Sequence, residues 1–146
     1  MSIHIVASTF YKELANELIN GASNVEWGDW LLDDKRRVIK TVRVPGAFEI
    51  PGMVKQILDN KNPDLIITLG VLIKGETSHF EYISESVAHS ISKLTISYNV
   101  PIIFGVITAL TYAQASERAL VSKKNKGAEV MNTGLKMLQL YDHYKK

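Results

Sequence analysis

Leu65-Ile66-Ile67-Thr68-Leu69 is apolar at odd and even positions alike, so both faces of this segment need cover. That is the pattern of a central strand in a parallel sheet rather than of a half-solvated antiparallel one. Pro101-Ile102-Ile103-Phe104-Gly105-Val106-Ile107 has the same character and is predicted as a second doubly buried strand. Between them Ile83, Val87, Ile91, Leu94 and Tyr98 step by three or four, the spacing of a long amphipathic helix. Upstream, Ile50, Val54, Ile57 and Leu58 form another helical stripe, with Pro51 tolerated in the first turn and Asn62-Pro63-Asp64 breaking it. Residues 38–44 are β-branched and run into Pro45-Gly46, a strand and its turn. Residues 3–7 make a short strand ending at Ser8-Thr9, followed by a helix with Leu14, Ala15, Leu18 and Ile19 on one face and Gly21 closing it.

Downstream, Thr111 and Gln114 fit a capping box that opens a helix to about residue 121. A basic loop is expected over 122–127 and a last helix over about 128–144. Residues 22–36 receive no assigned element, and Trp27 and Trp30 are expected in the core. Alternating strands and helices of this kind predict a three-layer α/β sandwich: a mostly parallel four-stranded sheet, right-handed crossovers and helices on both faces.

Composition narrows the function. The chain has 146 residues, 46% of them apolar and 22% charged, which excludes wholesale disorder and suits one domain. A formal net charge of +2 gives no sequence-wide attraction to nucleic acid or anionic membrane. With no cysteine, disulfides, zinc ribbons, iron–sulfur clusters and thiol nucleophiles are excluded together. No apolar run approaches the roughly 18 residues of a membrane span. The first residues lack the basic and long apolar stretches of a signal peptide, so a cytoplasmic location is expected.

In open parallel sheets, ligands bind beyond the carboxyl ends of the strands. Gly, Pro, hydroxyl and aromatic residues crowd four such exits: 8–10, 45–49, 70–79 and 104–108. Gly70-Val-Leu-Ile-Lys-Gly-Glu76-Thr77 has P-loop glycine spacing, but Glu76 stands where a triphosphate needs Lys, and that reading fails. What survives is either a plain helix cap or a turn whose free N–H groups hold one phosphate. His79, flanked by Phe80 and Tyr82, is either a solvated loop histidine or a proton carrier. His4 and His89 read as structural or surface residues and His143 as tail; none has a partner at metal-ligand spacing, so no metal is expected.

Arg118, Lys123, Lys124 and Lys126 form a basic cluster, either a solvated helix end or an anion site with Arg118 as the bidentate clamp. Glu117 and Glu129 nearby make it a poor nucleic-acid footprint. Phe10, Phe48 and Phe104 sit at strand exits, where a planar ligand could stack, and Glu49 could accept from a ring N–H.

Four motifs occur in order: Val44-Pro-Gly-Ala-Phe-Glu-Ile-Pro51, Gly70-Val-Leu-Ile-Lys-Gly-Glu-Thr-Ser-His-Phe-Glu-Tyr82, Val100-Pro-Ile-Ile-Phe-Gly-Val-Ile-Thr108, and Glu117-Arg-Ala119 with Asn125-Lys-Gly127. Together they resemble the lumazine synthase family of riboflavin biosynthesis. The resemblance implies one flavodoxin-like domain over residues 1–146. It also implies condensation of 5-amino-6-(D-ribitylamino)uracil with 3,4-dihydroxy-2-butanone 4-phosphate, two small-molecule substrates, with no cofactor. Carried over by position, Phe10 would stack on the pyrimidine, and Ala47, Phe48, Glu49, Val71, Leu72 and Ile73 would bind its edges and ribityl chain. Glu76 and Thr77 would form the phosphate turn and His79 would move protons. Phe104, Arg118 and Lys126 would come from a neighbouring subunit, Arg118 holding the phosphate, in a pentamer or a multiple of one. Riboflavin synthase is the partner the resemblance suggests.

The chain departs from the family pattern in four places. It starts almost at its first strand, Tyr11 replaces a small polar residue, Lys74 replaces Arg, and Leu120-Val-Ser-Lys-Lys124 replaces a Gly-containing stretch. The competing functions are the related pentameric riboflavin synthase, a non-catalytic flavin- or lumazine-binding or shell protein, and, more remotely, an electron carrier. A phosphate turn has no use in the dismutase, and retained His79, Arg118 and Lys126 have none in a shell.

Overall fold

Alternate residues of the inner strands enter separate apolar layers, so the doubly apolar pattern is satisfied by helices on both sides of the sheet. A computed structural model describes residues 1–28, 37–75 and 78–145. The elements are β1 (Ser2–Ser8), α1 (Lys12–Ser23), β2 (Val38–Val44), α2 (Ile50–Lys61), β3 (Leu65–Ile73), α3 (His79–Ser97), β4 (Ile102–Ala109), α4 (Tyr112–Ala119) and α5 (Lys126–Tyr144). A 3₁₀ turn, Ala47–Glu49, leads into α2.

The four strands run in the order β2-β1-β3-β4, and every pairing is parallel. Ile3 pairs with Leu65 and Ala7 with Leu69, while Ile66 to Ile73 of β3 pair with Ile102 to Ala109 of β4. On one face Ile3, Ile5, Leu65, Ile67 and Leu69 pack with Leu14 and Leu18 of α1, Ala115 of α4 and Met131 of α5. On the other, Val6, Ile66 and Val106 pack with Ile50, Val54 and Ile57 of α2 and Val87 and Ile91 of α3. The structure is the flavodoxin-like α/β sandwich that the sequence predicts.

Several boundaries differ from expectation, each for a local reason. β3 continues past Leu69 to Ile73 because β4 keeps pairing with it that far. Gly70 does not end the strand; a Cβ there would lie 2.7 Å from Ser8 Oγ on the adjoining strand. Gly21 does not close α1 but sits inside it, where a Cβ would meet the Asn125 side chain at 2.1 Å. Gly127 answers from α5, its absent Cβ 2.1 Å from the Leu18 carbonyl oxygen. Small residues thus let α1 and the start of α5 touch backbone to backbone.

β4 is not covered on both faces: Phe104 is 42% exposed and Thr108 is open. Among the described residues it pairs only with β3, and at this edge an open side chain interrupts the apolar run. α4 ends at Ala119, where Leu120 turns extended and its carbonyl accepts from Lys123 and Asn125 N–H at 3.0 and 3.1 Å. The Glu17 carboxylate accepts from Val121 N–H at 3.1 Å and ties this turn to α1. α5 begins at Lys126, earlier than expected, because Asn125 in the left-handed region (φ 48°) caps it through its side chain. Asn62 (φ 47°) ends α2 in the same conformation, in line with the predicted break.

Trp27 is half-buried against the α1–α5 layer, with Arg37 4.9 Å above its ring; Trp30 lies outside the described residues. His4 is buried in β1 at 3% exposure, and its Nδ1 has no hydrogen-bond partner. No described helix is long and apolar enough to cross a membrane.

Candidate active site

In the order β2-β1-β3-β4 the chain leaves β1 toward β2 on one side and β3 toward β4 on the other, opening a crevice at the carboxyl ends of β1 and β3. Three exits converge there. After β1 the chain is held by Thr9, whose N–H and hydroxyl both donate to the Val44 carbonyl, at 2.9 and 3.2 Å. Phe10 then projects with 73% of its surface exposed. After β2 the 3₁₀ turn buries Ala47 and leaves Phe48 57% exposed beside Glu49. The end of β3 contributes Val71, Leu72 and Ile73, and Lys74 N–H extends the ladder to the Ala109 carbonyl at 2.9 Å.

These segments, with Gly75, His79, Phe80 and Ile83, enclose a cleft of about 590 Å³. His79 is not a loop residue: it is the first residue of α3, directly after Ser78, which offers no side-chain cap. It is exposed at the cleft wall. Phe10, Ala47, Phe48, Glu49, Val71, Leu72, Ile73 and His79, selected from sequence, therefore share one cavity. Glu76 and Thr77 lie outside the described residues; Gly75, on one side of them, lines the cleft.

The remaining selected residues lie elsewhere. Arg118, in the last turn of α4, donates from Nη1 to the Thr108 carbonyl at 2.8 Å. It lines a second cleft of about 710 Å³ with Thr108, Leu110, Gln114, Glu117 and Lys124. Phe80 lines both clefts and stands between them. Lys126 turns to Glu129 at 2.7 Å, and Phe104 lines neither cavity. The basic cluster is thus split: Arg118 and Lys124 share a cleft that Lys126 does not line.

Sequence reasoning missed Tyr11, Gly46, Phe80 and Ile83 in the first cleft and Thr108 and Gln114 in the second. Proximity to Phe10, to Pro45 and to His79 was the available signal for the first three. Ile83 falls on the helix stripe, and nothing in the sequence marks it as also reaching the crevice. Among the described residues no group of three or more His, Asp or Glu side chains converges to hold a metal.

A doubly wound parallel sheet with a preformed, aromatic-rimmed cleft at its switch point defines an α/β protein of the small-molecule-binding kind. Residues 1–142 match the family of 6,7-dimethyl-8-ribityllumazine synthase, and the chain belongs to that family. Membership places it among the transferase-type enzymes of riboflavin biosynthesis.

Proposed function

We propose that this chain, acting as one domain, catalyses the condensation of 5-amino-6-(D-ribitylamino)uracil with 3,4-dihydroxy-2-butanone 4-phosphate to 6,7-dimethyl-8-ribityllumazine. The observation that carries the proposal is the convergence of Phe10, Phe48, Glu49 and His79, from three separate strand exits, on one cavity of about 590 Å³. The aromatic rings supply faces for a pyrimidine, and Glu49 supplies an acceptor for its N–H edge. Val71 to Ile73 form the wall along which the ribityl chain lies.

The chemistry suits these residue types. The uracil's amine attacks the ketone and water leaves as the imine forms. Loss of phosphate follows, and the ribitylamino nitrogen closes the ring with loss of a second water. Each step moves protons, and His79 stands at the cavity wall to carry them. Holding two reactants in register can supply up to about 7–11 kcal/mol of the barrier reduction. The phosphate end is assigned to Glu76 and Thr77 by the family motif, acting mainly through backbone N–H groups.

Arg118, Lys126 and Phe104 do not line this cavity. That supports a site completed by a second copy, in a pentamer or a multiple of it, whose Arg118 offsets the charge of the departing phosphate. The enzyme works in the cytoplasm on two soluble substrates and hands its product to a riboflavin synthase.

The test mixes purified protein with both substrates and follows lumazine absorbance and fluorescence against a protein-free blank. A rate well above the blank supports the proposal. A rate equal to the blank, with lumazine still bound, overturns it and leaves a binding role. Disproportionation of added lumazine to riboflavin would mark the dismutase instead.

A further inference from the structure

Phe10 has the exposure of a side chain that should not hold a fixed position: 73% of its surface is open. A ring that must stack on a planar ligand binds best when its orientation is set beforehand, since ordering it on binding costs affinity. The structure supplies a support. Tyr11, half-buried against the α1–α4–α5 layer, presents its ring edge-to-face to Phe10, with centroids 5.0 Å apart and planes at 73°. On its far side Tyr11 meets Tyr112 at 6.0 Å and 62°. Both geometries fall in the attractive range for aromatic pairs.

Tyr112 is itself fixed as the first residue of α4. Thr111 Oγ1 caps that helix by accepting from Gln114 N–H at 3.1 Å, and Gln114 Oε1 accepts from Leu110 N–H at 2.9 Å. The three rings therefore form a chain from a capped helix terminus to the mouth of the first cleft.

We propose that Tyr11, backed by Tyr112, is a positioning residue that presets the Phe10 ring for stacking on the pyrimidine. This rests on the first cleft being the heterocycle site. The device belongs to this sequence, whose Tyr11 occupies a place where a small polar residue could not make either ring contact.

The test varies each substrate in turn at saturating levels of the other and measures direct binding of 6,7-dimethyl-8-ribityllumazine by fluorescence. Tyr11→Leu is expected to raise KM for the uracil and Kd for the lumazine by about three- to tenfold, the range an aromatic pair can account for. KM for the ketone phosphate and kcat should stay within about twofold, because that pair acts on the heterocycle alone. Tyr11→Phe restores wild-type values. Tyr112→Leu gives a smaller rise that does not add to the Tyr11→Leu effect, the mark of residues acting through one another.

Unchanged KM and Kd in Tyr11→Leu overturn the proposal. So does a fall in kcat with both KM values unmoved, which is the signature of a merely structural residue. Equal damage from Tyr11→Phe assigns the role to the hydroxyl and overturns it as well. A wild-type protein that neither turns over nor binds the lumazine refutes the functional reading instead. The order of the ring is then read by ¹⁹F NMR of 4-fluorophenylalanine introduced at position 10: broadening relieved by Tyr11→Leu supports presetting, and a signal indifferent to Tyr11 overturns it.

Discussion

The two clefts on either side of Phe80 differ in kind. The one at the β1 and β3 exits is walled by Phe10, Phe48, Val71, Leu72, Ile73 and Ile83, with His79 and Glu49 as polar groups. The one beyond β4 has Arg118, Lys124, Glu117, Gln114 and Thr108 around a small apolar floor. One suits a planar heterocycle, the other an anion, and within a chain Phe80 lies between them. The proposed condensation would need both chemistries at one point, and with the clefts apart it would need sites assembled from two copies. The useful experiments break this division of labour or sharpen it.

The bluntest break moves the scaffolds of the two regions relative to each other. α1 starts beside the Phe10 side, α5 beside the Arg118 side, and Gly127 lets them touch. A Gly127→Ala methyl would sit 2.1 Å from a backbone oxygen, so a loss of about 3 kcal/mol of stability is expected, near the upper end for overpacking. A urea midpoint within error of wild type would show that the helices can part without cost.

Removing the proposed proton carrier, an exposed side chain, is expected to leave the architecture intact. His79→Ala is expected to lower kcat by about 100-fold while activity stays measurable, the lower range for a general acid–base group. An unchanged kcat would remove His79 from the mechanism. Arg118→Ala should raise KM for the ketone phosphate by about tenfold or more, as loss of a charged hydrogen bond does, with KM for the uracil nearly constant. Equal affinity for the phosphate substrate in the variant would refute the anion role of the second cleft.

Combining these two variants probes the division itself. Assayed with the ketone phosphate well below its KM, where each variant alone is slow, His79→Ala and Arg118→Ala chains co-assembled in equal amounts should recover about a quarter of wild-type activity, because random neighbours then rebuild that share of the shared sites. Activity no better than the mean of the two variants would place both residues of each site in one chain.

The smallest effect separates catalytic from structural pH dependence. His4 lies away from both clefts, buried without a partner for Nδ1, and burial together with Lys40 and Lys61 holds its pKa below the ordinary 6.5. The unfolded chain therefore takes up a proton first as pH falls. Stability should be highest above about pH 7 and decline as pH falls below 6.5 toward the folded-state value. Urea midpoints at pH 7.5 and about 5.5 measure the decline, and a slope that survives in His4→Val would acquit His4.

The cleft was legible in sequence because its residues advertise themselves at strand exits: Phe10 after Ser8-Thr9, Phe48 and Glu49 after Pro45-Gly46, His79 after a glycine-bearing turn. The two apolar layers were equally legible from the apolar residues that β3 carries on both of its faces. What escaped was set by neighbours in space. Gly70 reads as a break, yet it is a strand residue required by Ser8 alongside. His79 reads as loop because α3 begins without a side-chain cap to announce it. Gly21 reads as a terminator although Asn125, far along the chain, is why no side chain fits there. The path of α3 that sets Phe80 between two cavities has no local signal.

The two margins of the sheet are unlike in charge. β2 carries Lys40 and Arg43, both exposed, and such side chains discourage a foreign strand from docking. β4, Ile102 to Ala109, carries no charged residue and offers an open Phe104. Apart from the Thr108 carbonyl, which Arg118 holds, its outer N–H and C=O groups are a template for any extended peptide that meets them. A neighbour lying along this margin, as the proposed shared site would require, would guard solubility as well as chemistry. Left uncovered, the margin favours clumping at high concentration, and a Thr108→Lys change should lessen light scattering during refolding there.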